Sequence, residues 1–170
     1  MLSPPKELLP WLTCTTYLTK KLHATSGNTA LQVLQEQWLE VATPWDQQVL
    51  QLAPERVLHR DILMLAEARP CWFARTILPA ATYQSEDGLF SRLRDEPLGN
   101  LIFQGSAIQR LELRHYPIVM TDPEYAWIPE GQHQQRTPLW VRLATFQVLS
   151  SQALFYLLEI LLPELERYCK

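Results

Sequence analysis

Two apolar runs separated by a short polar turn constrain the fold of this chain more than any other feature. The runs are residues 57–65 and 71–78, and the turn is residues 66–70, which read Ala-Glu-Ala-Arg-Pro. Runs of this length, rich in aliphatic and aromatic residues and joined by a few turn residues, are typical of a β-hairpin. The sequence therefore predicts an antiparallel pair of strands in this region.

Each predicted strand of the hairpin carries one arginine among apolar residues. Side chains alternate between the two faces of a strand, so Arg60 is predicted to share a face with Ile62, and Arg75 with Phe73. A guanidinium on an apolar sheet face strongly favours an anionic partner. Arg60 could find that partner in a ligand, or could form a structural ion pair with Asp61 or Glu159.

Glu159 is the only charged residue in the apolar run 153–163. The leucines of this run fit the stripe of an amphipathic helix as well as they fit a buried strand. On a helix, Glu159 would share a side with Gln152 and Glu166 and face water. On a strand, it would lie among Leu157 and Leu161, where a carboxylate needs a cation or a hydrogen-bonding ligand.

The remaining chain alternates between helical and strand patterns. Ser85 is predicted as the N-cap of a helix, because acidic residues follow it in what would be the first turn. Helical patterns cover residues 5–24 and 85–103, and strand patterns cover residues 30–41, 108–116 and 139–149.

Composition limits the chain to one compact domain, and we take residues 1–170 as that domain. With 170 residues, 47% of them hydrophobic, it has enough apolar surface for one substantial core. The net charge is −3 and no cluster of Lys and Arg is interleaved with aromatic residues, so nucleic-acid binding is disfavoured. No apolar stretch reaches the roughly 20 residues of a membrane span, which favours a cytoplasmic protein.

Cysteine and histidine usage gives no sign of a disulfide framework or a metal site. No C-x-x-C, H-x-x-x-H or H-E-x-x-H spacing occurs, so we expect reduced thiols and no metal. The residues concerned are Cys14, Cys71, Cys169, His23, His59, His115 and His133.

Several short strings, taken in order, are similar to those of a known enzyme family. The resemblance covers nearly the whole chain, and the spacing of Arg60 and Arg75 within a matching hairpin adds to it. The strings are residues 18–21 (LTKK), 74–79 (ARTILP), 97–103 (PLGNLIF), 139–142 (LWVR) and 158–163 (LEILLP). Together they resemble the chorismate pyruvate-lyase family.

The resemblance implies an α+β domain in which an antiparallel sheet of about six strands is covered by helical flaps over a buried site. It implies conversion of chorismate to 4-hydroxybenzoate and pyruvate, the step that opens bacterial ubiquinone biosynthesis, with no metal or organic cofactor. Chorismate and 4-hydroxybenzoate would then be the binding partners of a monomeric protein.

The resemblance also assigns residues and favours the strand for Glu159. Arg60 matches the arginine that binds the substrate carboxylate, and Glu159 matches a carboxylate expected to hydrogen-bond the ring hydroxyl. Leu18 and Leu98 fall at two further ligand-contact positions, where backbone N–H groups would face the ligand. Arg75 is expected to face the substrate or to lie behind the groups that do.

Two departures from the family pattern affect the end of the chain. The basic stretch expected after Trp140 is reduced to Arg142, and the turn before Glu159 lacks its usual glycine. If Glu159 were misplaced, Glu164 and Glu166 would be the remaining carboxylates.

A second hypothesis uses the same fold for sensing rather than catalysis. Effector-binding domains of one family of bacterial transcription regulators resemble this lyase and bind small organic acids. Those regulators carry an N-terminal DNA-binding domain, for which too few residues precede the first predicted strand. A sensor is therefore the weaker alternative.

Overall fold

The computed structural model describes residues 2–94, 96–103, 107–132 and 138–169. It contains a six-stranded sheet in the order β1-β2-β3-β6-β5-β4, and every neighbouring pair is antiparallel. The strands are β1 (Thr29–Leu39), β2 (Val57–Ala66), β3 (Arg69–Pro79), β4 (Ile108–Ile118), β5 (Leu139–Val148) and β6 (Leu154–Leu161). The predicted α+β domain, its hairpin and its other strands are confirmed.

Short helices connect and cover the strands. They are α1 (Leu9–Leu12), α2 (Leu18–Ser26), α3 (Pro44–Val49), α4 (Ala80–Ser85), α5 (Asp87–Phe90) and α6 (Leu98–Phe103). Turns of 3₁₀ helix occur at Ser91–Arg94, Pro123–Trp127, Glu130–Gln132 and Pro163–Tyr168. Within the described part of the chain, no helix has the length and apolar character needed to cross a membrane.

The helical predictions are correct in type but wrong in detail. Residues 5–24 form two helices rather than one, and Gly27, in a left-handed conformation, ends the second. Ser85 is not an N-cap, because it is the last residue of α4 and its hydroxyl donates to the Thr82 carbonyl. The helix starts earlier because Pro79 ends β3 directly before it.

Glu159 lies on β6, so the strand alternative is confirmed over the helix. β6 pairs with β3 on one side and β5 on the other, which places it in the interior of the sheet. Gln152, in the turn between β5 and β6, has a φ of 60°. A glutamine therefore takes the left-handed position for which the family pattern suggested glycine.

The sheet separates two apolar layers. On the back face, α3 and the Pro123–Trp127 segment cover a cluster that includes Phe73, Ile77 and Leu158. On the front face, α1 and α2 pack over one cluster, and the helices between β3 and β4 pack over a second. The front face therefore has two covers that approach each other from opposite sides.

Candidate active site

A cavity lies on the front face of the sheet, between the two front clusters. The space between its lining residues, open mouth included, is about 610 Å³. Residues 16–19, which we call the first flap, cover it from one side, and residues 97–102, the second flap, from the other. Most of its floor is apolar, so its few polar side chains decide what it binds.

Arg60 reaches the cavity from β2 and is only 2% exposed. Its Nη2 donates to the carbonyl of Glu96 at 3.0 Å, directly before the second flap. An arginine stays charged under all physiological conditions. Arg60 therefore places a fixed positive charge inside the cavity and ties the sheet to the second flap.

Glu159 also lines the cavity, and the cation opposite it is Arg142. The two residues are paired across β5 and β6, and Arg142 Nε lies 3.4 Å from Glu159 Oε1. Burial raises the pKa of the Glu159 carboxyl above its ordinary value, while the guanidinia of Arg142 and Arg110 act to lower it. Glu159 is thus a buried hydrogen-bond acceptor whose charge depends on neighbouring arginines.

Arg142 and Arg110 line the cavity but were not predicted as site residues. Arg142 donates to the carbonyls of Trp11 and Cys14, and Arg110 donates to that of Thr15, so both hold the chain that leads into the first flap. The sequence could have pointed to Arg142, because Arg142 is the only charged residue of β5, just as Glu159 is the only charged residue of β6.

The described lining carries an excess of positive charge. Three arginines, Arg60, Arg110 and Arg142, face one carboxylate, Glu159, so the net charge is two positive when all are ionised. Charges in a buried site interact strongly, because water screens them little. The cavity therefore favours an anion, and a dianion would balance it.

Leu18 and Leu98 both line the cavity, one in each flap. Each is the first residue of its helix, where the backbone N–H has no acceptor within the helix. Their side chains are buried in the front clusters. At both positions the side chain packs in the core, while the backbone N–H remains able to contact a ligand.

Arg75 is the predicted site residue that the structure does not bring to the cavity. It lies between Ala74 and Thr76 of β3, which both face the cavity, and alternation therefore directs Arg75 to the back face. The expectation that Arg75 faces the substrate is corrected accordingly.

On the back face, Arg75 forms a two-pronged ion pair with Asp61. Its Nε and Nη2 donate to the two carboxylate oxygens at 2.8 and 2.9 Å, and Gln35 also donates to Asp61. The guanidinium lies 4.1 Å from the centre of the Trp127 ring. Asp61 is therefore engaged by Arg75, which argues against the structural ion pair considered for Arg60 and Asp61.

The described cysteines and histidines form no reactive cluster. The three cysteines are free, and burial raises the pKa of Cys71 and of Cys169 to about 11, so both stay thiols at neutral pH. Among the described residues, no group of three or more His, Cys, Asp or Glu is placed to hold a metal ion. His133 lies outside them. A reaction without cofactor remains a prediction.

Taken together, the fold and the cavity define a class of protein. A flap-covered cavity on an antiparallel sheet, whose charged groups among the described residues are three arginines and one carboxylate, is suited to small organic anions. A family model described as chorismate lyase matches residues 1–155. The chain belongs to the chorismate lyase family and is an enzyme of the lyase class. The match ends four residues before Glu159, and the structure itself places that residue in the cavity lining.

Individual relatives carry matching names. A probable chorismate pyruvate-lyase from Pseudoalteromonas atlantica is 26% identical over 97% of this chain and 84% of its own length. One from Azoarcus sp. is 31% identical over 84% of this chain and 78% of its own.

Among solved structures, effector domains of transcription regulators share the fold. A GntR-family regulator from Bacillus cereus has a TM-score of 0.57 at 13% identity, covering 81% of this chain and 93% of its own. The effector domain of PhnF from Mycobacterium smegmatis has a TM-score of 0.56 at 15% identity, covering 88% and 90%. At these identities the likeness concerns the fold alone.

Proposed function

We propose that this protein converts chorismate to 4-hydroxybenzoate and pyruvate. The observation that carries the proposal is the buried, flap-covered cavity in which Arg60 and Glu159 face an apolar space. Membership of the chorismate lyase family and the names of its relatives support the same substrate.

The reaction needs little covalent help from the protein. The bond between hydrogen and the hydroxyl-bearing ring carbon breaks, and its electron pair forms the new ring double bond. The neighbouring carbon–oxygen bond breaks at the same time, and enolpyruvate leaves and takes up one proton to become pyruvate. Aromatisation drives the reaction, so the protein mainly has to bind, orient and exclude water.

Arg60 and Glu159 supply the two polar contacts that such orientation requires. Arg60 binds the ring carboxylate, because a guanidinium matches a carboxylate in a two-pronged hydrogen bond. Glu159 accepts a hydrogen bond from the ring hydroxyl, next to the carbon that loses its proton. The backbone N–H groups of Leu18 and Leu98 contact the ligand from the two flaps.

The same proposal implies a metabolic pathway for the protein. An enzyme that makes 4-hydroxybenzoate from chorismate would open ubiquinone biosynthesis, in the cytoplasm, where a monomer without nucleic-acid partners would suffice. The sensor hypothesis has less support, since the likeness to regulators concerns the fold alone, whereas the chain belongs to the lyase family.

Site variants test the assignment of Arg60 and Glu159. Pyruvate release from chorismate is expected to fall by about 100-fold or more in Arg60→Ala, through lost anion binding, and by about 100-fold in Glu159→Gln. The measurement is a coupled pyruvate assay, with circular dichroism to show that each variant is folded.

Matched controls come from exposed residues of β4 outside the cavity. Arg114→Ala and Glu112→Gln remove the same charges, and both are expected to keep wild-type rates. Wild-type rates in Arg60→Ala and Glu159→Gln would show that the site is elsewhere.

A further inference from the structure

Arg110 is a half-buried cation in the cavity wall that the proposed contacts leave unused. Its Nη2 donates to the Thr15 carbonyl at 3.1 Å, and among the described residues no carboxylate lies within ion-pair distance of it. Burial and the neighbouring Arg142 guanidinium lower its pKa. Both effects make an added anion beside Arg110 favourable.

A β-bulge determines that Arg110 faces the cavity. Arg110 is paired with Phe146 and Glu112 with Thr145, so Leu111 has no partner on β5 and is exposed. Phe146 lines the cavity, and Arg110 beside it shares its face. Bulges often redirect a side chain near a functional site, because they shift the alternation by one residue.

The polar side chains of the cavity are ordered across the sheet. Glu159 is on β6, Arg60 lies two strands away on β2, and Arg110 lies two strands away on the opposite side, on β4. Neighbouring strands are about 4.8 Å apart, so each arginine projects from a strand about 10 Å from that of Glu159. A ligand hydroxyl at Glu159 would thus have a cation on either side.

Arg142 is less suited to bind a ligand carboxylate than Arg110. Its two Nη atoms donate to the carbonyls of Trp11 and Cys14, and its buried Nε, which has no hydrogen-bond partner among the described residues, lies 3.4 Å from Glu159 Oε1. Arg142 is a positioning residue, since it fixes Glu159 and the chain before the first flap. Among the described residues, Arg110 makes one side-chain hydrogen bond, through Nη2, which leaves Nε and Nη1 for a ligand.

We infer that Arg110 binds a second carboxylate of the substrate, the one carried by the enolpyruvyl group of chorismate. This inference rests on the proposed function. It adds that the cavity selects ligands that carry two carboxylates. With Arg60 at the ring carboxylate and Arg110 at the other, the two negative charges of the substrate balance the net charge of the cavity wall. Once the carbon–oxygen bond breaks, Arg110 retains only the pyruvate.

Equilibrium binding of two probes tests the inference without requiring turnover. The dicarboxylate probe is 3-[(1-carboxyvinyl)oxy]benzoate, whose ring is already aromatic and so lacks the driving force for loss of enolpyruvate. The monocarboxylate probe is 4-hydroxybenzoate. In Arg110→Gln, the Kd of the dicarboxylate is expected to rise by about 10-fold or more, while that of 4-hydroxybenzoate changes by less than about twofold.

Three further variants complete the experiment. Arg114→Gln, which removes an exposed arginine of the same strand, is expected to change neither Kd. Arg110→Lys keeps the charge and is expected to recover part of the affinity for the dicarboxylate. Arg60→Gln is expected to weaken both probes, because both carry the ring carboxylate.

The outcomes separate this inference from the proposed function. Equal weakening of both probes in Arg110→Gln would assign Arg110 to flap structure and overturn the inference, as would an unchanged Kd for the dicarboxylate or no binding of it by the wild type. If wild-type protein binds the dicarboxylate through Arg110 yet releases no pyruvate from chorismate, the inference holds and the proposed reaction fails.

Discussion

Glu159 is subject to two opposing influences at the scale of a single residue. Burial favours its protonated form, whereas Arg142 and Arg110 favour the carboxylate. Its proposed role as acceptor for a substrate hydroxyl is best served by the carboxylate, which is the stronger acceptor. Under the proposed function, the arginines around it would therefore favour the reaction even without touching the substrate.

This balance predicts the pH dependence of the reaction. Because burial raises the pKa of Glu159, kcat/KM is expected to fall as the pH drops through a value above the ordinary glutamate range near 4.3. Arg142→Gln and Arg110→Gln each remove a cation that lowers this pKa, so both are expected to move the acidic limb to higher pH. The measurement is kcat/KM for chorismate over pH 4.5–8 in each variant.

Arg114→Gln serves as the control for that profile, since its charge lies outside the cavity. An acidic limb that stays at the same pH in both Arg142→Gln and Arg110→Gln would mean that another group controls the rate.

Residue-scale prediction from the sequence succeeded where a charged residue shared its predicted strand face with apolar residues. Arg60 and Glu159 were singled out in this way, and both line the cavity. Arg75 gave the same signal but faces Asp61 on the other side of the sheet. Alternation within one strand shows which residues share a face, but not which face holds the cavity.

At the scale of elements, the two flaps meet at Gly99. The Tyr17 ring, next to the first flap's Leu18, lies so close to Gly99 of the second flap that a Cβ at position 99 would overlap it. Glycine is therefore required there by the neighbouring flap rather than by its own backbone, which is helical. The two flaps are therefore in direct contact beside the cavity.

Gly99→Ala is expected to hold the flaps apart and to speed the release of 4-hydroxybenzoate several-fold, because exit from a closed site requires the flaps to open. Stopped-flow measurement of product dissociation checks this expectation. Gly88→Ala in α5 is the matched control, since a Cβ there meets nothing within 4 Å. Equal dissociation rates in the two variants would exclude the flap contact as a barrier to release.

The sequence predicted strands better than helices for a physical reason. The strands are long runs with a regular two-residue pattern, and β2 to β6 each lie within two residues of their predicted bounds. The helical region 85–103 instead divides into short segments, each too short to be stable without tertiary contacts. Local capping signals such as that of Ser85 could not locate them.

At the scale of the whole molecule, the sheet order assembles the site from distant parts of the chain. Arg60, Glu159 and Arg110 come from three strands, and the flaps come from α2 and α6. The resemblance to a family predicted the sheet and its flaps. It could not predict Arg142 opposite Glu159, because that pairing depends on the register of a hairpin whose turn departs from the family pattern.

The central claim is that the flap-covered cavity turns over chorismate rather than only binding a small acid. The most direct measurement follows pyruvate and 4-hydroxybenzoate together after purified wild-type protein is mixed with excess chorismate. The account predicts equal amounts of the two products over many turnovers. Binding of chorismate or 4-hydroxybenzoate without release of pyruvate would contradict it and would favour the sensor.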